Sequence, residues 1–327
     1  MSFLADKSGK TFVAGHGGMV GTALHRKLTA LGFTNIVVRT RAELDLTRQQ
    51  DVEIFFDSER PSYVIICAAK CGGLHASTAA PAEYLRTNLS IVVNVLAAAH
   101  RCGSVRKLLF LAGATIYPED APQPIHESAI LSGPPVPGSE WYAIARIIGI
   151  KLCQAYRQAG NGGMDAIAAA PNNIYGPREP FSTELTHVVP ALIRRFHHAK
   201  LTGAPETVVW GSGTALREFT HVDDLVDAML LLMDKYSDGE HVNIGSGMEV
   251  TVQELAETVK EVVGYHGRIV WDTSRPDGVP RRLLDSSKMR SLGWEPKVPL
   301  RDGIRDLYRL YLSCDDVLKL GLQKVVD

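Results

Sequence analysis

Up to about residue 170, short apolar runs alternate with helix-like stretches, and this alternation constrains the fold more than any other feature of the chain. The apolar runs occupy residues 11–14, 36–38, 63–67, 108–111 and 166–169. Helical patterns such as 19–31 and 91–100 lie between them. Strands that are apolar along their whole length are typical of a parallel sheet covered by helices on both faces. The sequence therefore predicts an α/β fold with a doubly wound, Rossmann-type parallel sheet.

The pattern changes after residue 175. Loops there carry Pro and Gly, for example at 175–177 and 211–213, and short strands separate the helices. We predict a Rossmann domain over residues 1–175. Residues 176–327 are predicted to form mainly a smaller C-terminal α/β lobe for the substrate, with some segments returning to the first domain.

The composition excludes several classes of function. The chain has 327 residues, of which 45% are hydrophobic, and a net charge of −1, so no polyanion such as nucleic acid is expected as a partner. It has no apolar run of ~18 residues and no apolar leader, so we predict no membrane association and a cytoplasmic location. The five cysteines form no zinc-like pattern. We expect reduced thiols, mostly in the core, and no metal site. Cys67 and Cys71, which bracket the end of a strand, are expected to be buried packing residues, with a metal or redox role as the alternative.

The first apolar run leads into a glycine-rich loop and then a helix. Gly15, Gly18 and Gly21 fit a GxxGxxG variant of the dinucleotide fingerprint, with Met19 and Val20 at the head of the helix. Glycines permit the tight turn and let the backbone approach a pyrophosphate at the helix N-terminus. The loop therefore predicts a dinucleotide site; a turn without a ligand is the alternative.

Two arginines follow the second apolar run. Sites for NAD usually place an acidic residue there, which accepts hydrogen bonds from the adenosine ribose, but this chain has Arg39 and Arg41. Guanidinium groups can bind a phosphate on that ribose. We therefore predict NADP(H) as the cofactor; a pair of solvated surface arginines is the alternative.

A tyrosine and a cation stand four residues apart in a helical stretch. In short-chain dehydrogenases a Tyr and a Lys with this spacing form the acid/base pair, and here the residues are Tyr142 and Arg146. Residues four apart share one helix face. A cation there is expected to lower the phenol pKa from about 10, so that the hydroxyl can exchange a proton with a carbonyl oxygen.

Many motifs of the chain together resemble one family of nucleotide-sugar enzymes. They occupy residues 43–46, 68–73, 116–118, 121–125, 140–145, 173–177, 187–196, 209–214, 217–224 and 275–282. In this order they resemble the GDP-L-fucose synthases, which are extended short-chain dehydrogenase/reductases. The resemblance implies a homodimer that converts GDP-4-keto-6-deoxy-D-mannose into GDP-L-fucose by 3,5-epimerisation and NADPH-dependent 4-reduction.

The resemblance assigns catalytic positions, and several of them are altered. It places the family's Tyr at Tyr142 and its acid/base His at His187. The family's Ser, Cys and Lys are replaced by Gly113, Thr115 and Arg146. A Thr hydroxyl is too weak an acid to serve as the missing thiolate base, but Thr115 can donate a hydrogen bond to the ketone oxygen. A family arginine in the glycine loop is Gly17 here, so the NADP(H) prediction depends on Arg39 and Arg41.

The resemblance also implies a GDP-sugar pocket. Its residues are Asn173, His187, Arg195, Trp210, Arg217 and Arg282. Arginine guanidinium groups suit a diphosphate because each can donate two parallel hydrogen bonds to its oxygens. The alternative is that Arg195 and Arg217 are solvated at the surface or form a salt bridge to Asp223 or Asp224. Residues 178–185 depart from the family's polar loop, which favours a changed substrate preference.

Three readings therefore stay open. The first is a working epimerase/reductase of GDP-4-keto-6-deoxy-D-mannose. The second is a diverged paralogue that acts as a reductase, epimerase or isomerase on another small molecule through Tyr142, Thr115 and His187. The third is a cofactor-binding protein without activity.

Overall fold

A computed structural model of the protein describes residues 2–72, 78–159, 164–179, 181, 187–275 and 277–313. The strands are β1 (Thr11–Ala14), β2 (Ile36–Val37), β3 (Tyr63–Ile66), β4 (Lys107–Leu111), β5 (Asp165–Pro171), β6 (Asn173–Tyr175), β7 (Glu206–Trp210), β8 (Leu216–His221), β9 (Val242–Ile244), β10 (Glu249–Thr251), β11 (Arg268–Asp272) and β12 (Arg281–Arg282). The α-helices are α1 (Met19–Ala30), α2 (Gln49–Glu59), α3 (Pro81–Arg101), α4 (Glu140–Gln158), α5 (Val188–Thr202), α6 (Val222–Lys235), α7 (Val252–Val263), α8 (Ser287–Ser291) and α9 (Leu300–Ser313).

A six-stranded parallel sheet forms the first domain. Its order is β2-β1-β3-β4-β5-β9, and helices cover both faces. Alternate residues of β1 face opposite cores: Phe12 packs with α2 and α3, whereas Val13 packs with α1 and α6. The predicted doubly wound Rossmann sheet is confirmed. The strand order reverses between β1 and β3, which is where open α/β sheets bind ligands beyond the carboxyl ends of their strands.

The second lobe is built around strand β8. This strand pairs with β6, β10 and β12, and a separate parallel pair joins β7 to β11. A third hydrophobic core lies beneath them and is formed mainly by α5, α7 and α9. Later segments of the chain return to the first domain: α6 packs on the Rossmann sheet, β9 extends that sheet at its edge, and α8 contributes Met289 to the same core as α6.

One buried carboxylate of β8 connects the lobe to the rest of the molecule. Glu218 accepts hydrogen bonds from the backbone N–H groups of Gly247 and Leu284, at 2.5 and 3.2 Å. Leu284 belongs to the core of the first domain. Burial raises the pKa of Glu218, and the two backbone donors oppose that shift.

Within the described residues, no helix is long and apolar enough to cross a membrane. Those residues also contain no cluster of three or more His, Cys, Asp or Glu side chains that could hold a metal ion. Cys314 and most of residues 178–185 lie outside the described part of the chain.

Candidate active site

The glycine loop after β1 needs glycine at two of its positions. Gly15 has a φ of +85°, and a Cβ there would lie 2.6 Å from the backbone nitrogen of Ala68. A Cβ on Gly21 would lie 2.1 Å from the carbonyl oxygen of Gly15. The loop is thus pressed between helix α1 and the segment after β3. Gly17 faces open space.

The loop leaves the start of α1 available to an anion. Gly18 is the N-cap residue and offers no side chain, so the first N–H groups of the helix, which begin at Met19 and Val20, have no side-chain cap. A helix N-terminus with uncapped N–H groups and a close glycine turn fits a pyrophosphate. Gly15, Gly18, Met19, Val20 and Gly21 therefore suit the dinucleotide predicted from the sequence.

The two arginines predicted to select NADP(H) differ in their surroundings. Arg39 is paired with Glu59 at 2.5 Å, and its guanidinium lies 5.5 Å from the centroid of the Phe55 ring. Arg41 has a 68% exposed side chain and only a distant contact to Asp45, at 3.9 Å. Arg41 can therefore turn towards a ribose phosphate more readily, whereas Arg39 would first have to leave a carboxylate.

Tyr142 and Arg146 lie on one face of α4, as their spacing predicts. The Arg146 guanidinium is 4.7 Å from the centroid of the Tyr142 ring and 5.5 Å from that of Phe110. Arg146 is only 1% exposed, and its Nη2 donates a hydrogen bond to Asn88 Oδ1 at 2.7 Å. Its Nε is buried without a hydrogen-bond partner among the described residues.

The pKa of Tyr142 shifts in the opposite direction to the one expected from the sequence. Burial raises its pKa above the ordinary value, and the Arg146 cation offsets only part of this effect. The expectation of a lowered pKa was wrong. The spacing on the helix reveals the nearby cation, but it does not reveal that the phenol is buried and has lost its contact with water. A Tyr142 that keeps its proton is suited to donate it to a developing alkoxide.

The sequence reasoning missed Asn88, which holds the cation in place. Its Nδ2 donates to the carbonyl oxygens of Lys70 and Tyr84, at 3.1 and 2.9 Å, while its Oδ1 accepts from Arg146. Asn88 thus connects helix α3, the segment after β3 and the guanidinium. The available signal in the sequence was an Asn among the apolar positions of a long helical stretch; in the structure Asn88 is fully buried.

Thr115 lies in a short 3-10 helix, Ala114–Ile116, that packs against α4. Its hydroxyl oxygen is buried and has no hydrogen-bond partner among the described residues. Gly113, at the family's Ser position, has a φ of +150°, and a Cβ there would lie 3.9 Å from Thr115 Oγ1. The Thr115 hydroxyl thus lies close to the space that a side chain at position 113 would enter.

Cys71, which was expected to pack in the interior, lies beside Tyr142 instead. Cys71 is exposed, and its Sγ is 3.8 Å from the Tyr142 hydroxyl. Cys67, four residues earlier, is half-buried, and burial raises the pKa of its thiol to about 12. The packing expectation is therefore wrong for Cys71, because the chain has left the sheet and turned towards α4 by that residue.

A cleft of about 250 Å³ opens in the second lobe. It is lined by Asn173, Val188, Trp210, Arg217, Phe219, Val252 and Asp277. Asn173 is held by a hydrogen bond from its Nδ2 to the Glu218 carbonyl oxygen, at 2.9 Å. The predicted substrate residues Asn173, Trp210 and Arg217 are therefore brought together at one cleft.

Arg282 lies beside Arg217, because β12 and β8 pair in register at these residues. Arg282 Nη2 is buried without a hydrogen-bond partner among the described residues. Burial, and then the Arg217 cation, lower the pKa of Arg282 to about 10. Two neighbouring guanidinium groups, one of them incompletely satisfied, form a site that an anion with several oxygens would stabilise.

The salt bridges proposed as an alternative are not formed. Asp223 pairs with Arg26, and both carboxylate oxygens of Asp224 accept backbone N–H groups, from Lys297 and Val298 at 3.0 Å. Arg217 instead donates to the carbonyl oxygens of Leu216 and Asp277.

Trp210 is 60% exposed, which is unusual for so large an aromatic side chain. The guanidinium groups of Arg195 and Arg275 lie 5.9 and 5.1 Å from its ring centroid. Arg195 also donates a hydrogen bond to the Val208 carbonyl oxygen. An exposed indole with cations around it is a surface on which a flat aromatic group can stack.

His187 is the N-cap residue of α5 and precedes Val188 of the cleft. Its Nδ1 lies 2.6 Å from Oε1 of Glu179. The sequence identified His187 only through the family resemblance. It did not indicate Glu179, because an irregular loop has no repeating pattern that would predict a contact between residues eight apart.

Comparison with known proteins identifies relatives along almost the whole chain. The NAD dependent epimerase/dehydratase family matches residues 11–245. A relative from Oryza sativa subsp. japonica is 69% identical over 312 residues, which are 95% of this chain and 89% of the relative. GDP-L-fucose synthase 1 of Arabidopsis thaliana is 59% identical over 313 residues, which are 96% of each chain.

A solved structure shares the whole architecture. The GDP-mannoheptose C4 reductase from Campylobacter jejuni, with NADP bound, is 37% identical and superposes with a TM-score of 0.84, covering 94% of this chain and 99% of that one. The chain thus belongs to the NAD dependent epimerase/dehydratase family, in the branch that contains the GDP-L-fucose synthases.

Proposed function

We propose that this protein is an NADPH-dependent 3,5-epimerase and 4-reductase of GDP-4-keto-6-deoxy-D-mannose, which it converts into GDP-L-fucose. The observation that carries the proposal is the pairing of Tyr142 with a buried cation at the carboxyl edge of the Rossmann sheet. The adjacent arginines Arg217 and Arg282 supply a diphosphate site in the second lobe.

NADPH, when bound, would supply the hydride for C4. Its pyrophosphate would be held by the loop from Gly15 to Gly21 and its ribose phosphate by Arg41, with Arg39 as a second cation. Tyr142 would donate its proton to the C4 oxygen. The Thr115 hydroxyl, which lacks another partner in the described structure, would donate a hydrogen bond to the same oxygen. Arg146 stabilises the negative charge that Tyr142 acquires.

The epimerisation requires proton exchange at the two carbons beside the C4 ketone. The same groups that stabilise charge on the C4 oxygen would stabilise the enolate formed when such a proton leaves. Inversion requires a proton to leave from one face of the ring and another proton to arrive on the opposite face. His187 would carry the proton on one face, and solvent water would carry the proton on the other. The neighbouring Asn173, Trp210, Arg195, Arg217 and Arg282 would hold the sugar, the base and the diphosphate.

A second candidate function is the reduction of a 4-keto GDP-sugar without epimerisation. The observation that favours it is Thr115 at the family's Cys position, because an alkyl hydroxyl cannot act as a thiolate base. The C. jejuni relative is itself named as a C4 reductase. A different small-molecule substrate and a non-catalytic role are the remaining readings. Homodimer formation and a cytoplasmic location stay predictions.

The deciding experiment incubates the purified protein with NADPH and GDP-4-keto-6-deoxy-D-mannose. Nicotinamide absorbance reports reduction, and NMR of the sugar identifies the product. We expect GDP-L-fucose. An unepimerised 6-deoxy sugar would establish the reductase alone, and the absence of turnover with cofactor bound would exclude both functions. The triple change Gly113→Ser, Thr115→Cys and Arg146→Lys then tests whether the altered residues or a remodelled pocket account for such a failure.

A further inference from the structure

A buried carboxylate lies behind the histidine at the cleft. Glu179 is 1% exposed, whereas the side chain of His187 is 55% exposed. Glu179 Oε1 lies 2.6 Å from His187 Nδ1. The ring is therefore anchored at Nδ1 by a buried carboxylate, although the side chain as a whole is more than half exposed.

The chain turns sharply to bring Glu179 inside. The N–H of Glu179 donates to the Gly176 carbonyl oxygen at 3.3 Å, which closes a turn. Arg178 within this turn has a φ of +71°, an uncommon conformation for a residue with a side chain. The turn leaves Arg178 exposed and directs Glu179 inwards, towards the N-terminus of α5.

We propose that Glu179 is a positioning residue that fixes the tautomer and orientation of His187. A carboxylate can only accept hydrogen bonds, so its partner Nδ1 must carry a proton. Because a buried charge is costly without a partner, the contact is strongly favoured. Proton exchange with the substrate is thereby assigned to Nε2. Glu179 Oε2 is buried and has no hydrogen-bond partner among the described residues, so within that part of the chain the contact with His187 is the main polar interaction of this side chain.

This inference rests on the proposed function only for its catalytic consequence. Correctly placed proton-transfer groups contribute about 10²–10⁴-fold to a rate. In metal sites, loss of an outer carboxylate that orients a histidine typically costs about 10- to 100-fold, and we take this as the scale for Glu179. We expect Glu179→Gln to lower the rate of proton exchange at the sugar carbon by about 10- to 100-fold, with a smaller change in KM.

The tautomer itself can be measured without any substrate. The ¹⁵N NMR signals of His187, assigned by their disappearance in His187→Asn, should show a protonated Nδ1 in the natural protein. Glu179→Ala should move the proton to Nε2, the tautomer that imidazole prefers in water. An unchanged tautomer in Glu179→Ala, with the variant folded, would overturn the proposal, and it would do so whether or not the protein is a sugar epimerase.

The catalytic consequence is tested by deuterium incorporation into the substrate in D₂O, followed by NMR. Glu179→Gln and His187→Asn should each slow exchange, and the double variant should be no slower than His187→Asn, because Glu179 acts through the ring. If the two substitutions instead slowed exchange independently, so that the double variant were slower than His187→Asn by the full effect of Glu179→Gln, Glu179 would have a separate structural role and the proposal would be overturned.

The matched control is Glu127→Gln, since Glu127 is 2% exposed and contacts Asn243 and Lys288 rather than the site. It should leave exchange unchanged. Absence of exchange in the natural protein would contradict the proposed epimerase activity, and the NMR result would still decide the role of Glu179.

Discussion

The guanidinium of Arg146 lies over the face of the Tyr142 ring, 4.7 Å from its centroid, one helical turn from it on α4. The cation is fully buried, and its described hydrogen bonds go to an amide and a carbonyl oxygen rather than to a carboxylate. It is therefore a buried positive charge that a phenolate would neutralise. We therefore expect that an arginine at the lysine position of this family can keep the electrostatic role.

Removing the cation should impair the reduction far more than exchanging it for another cation. We expect Arg146→Met to lower kcat about 10²–10³-fold, as loss of one charge-stabilising group typically does. Arg146→Lys should retain activity within about 10-fold, because the charge remains but the bond to Asn88 is lost. Stopped-flow NADPH oxidation measures both. Equal rates for Arg146→Met and the natural protein would exclude the electrostatic role.

Thr115 should contribute to catalysis and not to stability. Thr115→Val removes a buried hydroxyl that has no partner in the described structure, so the free energy of unfolding should stay the same or rise. Reduction should slow about 10²-fold because the ketone oxygen loses a donor. Thr115→Ser, which keeps the hydroxyl, is the control. Urea unfolding and NADPH oxidation give the two readouts, and a Val variant of full activity would remove Thr115 from the site.

Arg282 and Arg281 offer a matched pair for locating the diphosphate. Arg281 is bound bidentately to Glu249 at 2.6 and 2.7 Å, whereas Arg282 is half-buried beside Arg217 and its Nη2 lacks a hydrogen-bond partner among the described residues. Arg282→Gln should weaken GDP binding about 10- to 100-fold, the usual value of one charged hydrogen bond. Arg281→Gln should leave Kd unchanged. Calorimetric titration with GDP distinguishes them, and equal effects of the two changes would argue against this site.

Cys71 should report cofactor binding through its accessibility. Its thiol is exposed and touches the Tyr142 hydroxyl, while Cys102 and Cys153 are buried. Iodoacetamide should label Cys71 faster than those two thiols, and NADP should slow the labelling. Peptide mass spectrometry measures the rate, with Cys71→Ser as the control. Labelling that NADP does not affect would mean that the cofactor binds away from Tyr142.

His241 should make the protein less stable in mild acid. Its ring is 1% exposed and lies 2.8 Å from the Tyr117 hydroxyl, and burial lowers its pKa from 6.5 to about 4. Between these two values the unfolded chain binds more protons than the folded protein, so stability rises with pH and is lost as the pH falls. The full effect is at most about 3 kcal/mol. Chemical unfolding from pH 4 to 7 should show this slope.

The matched variant is His241→Gln, whose amide can still donate to Tyr117 but does not titrate. We expect a flatter dependence of unfolding free energy on pH. If the slope is the same in both proteins, another group accounts for the acid sensitivity.

The sequence predicted the Rossmann sheet because buried parallel strands leave a local pattern that needs no knowledge of the tertiary fold. It also identified the pair Tyr142 and Arg146, whose side chains lie on one face of α4 as the spacing requires. It did not reveal Asn88 or Glu179, because their partners are distant along the chain or lie across an irregular turn. The direction of the Tyr142 pKa shift was misjudged, since burial depends on everything packed around the residue.

Strand β8 separates two tasks by the alternation of its side chains. Arg217 and Phe219 line the cleft, while Glu218 between them points the other way and ties Gly247 and Leu284 to the lobe. If the cleft binds the sugar nucleotide as proposed, mutations on this side should alter which substrate is accepted while the lobe keeps its attachment. Residues on the cleft face of such a strand can change during evolution with little effect on folding. This suits a family whose members act on many different sugars.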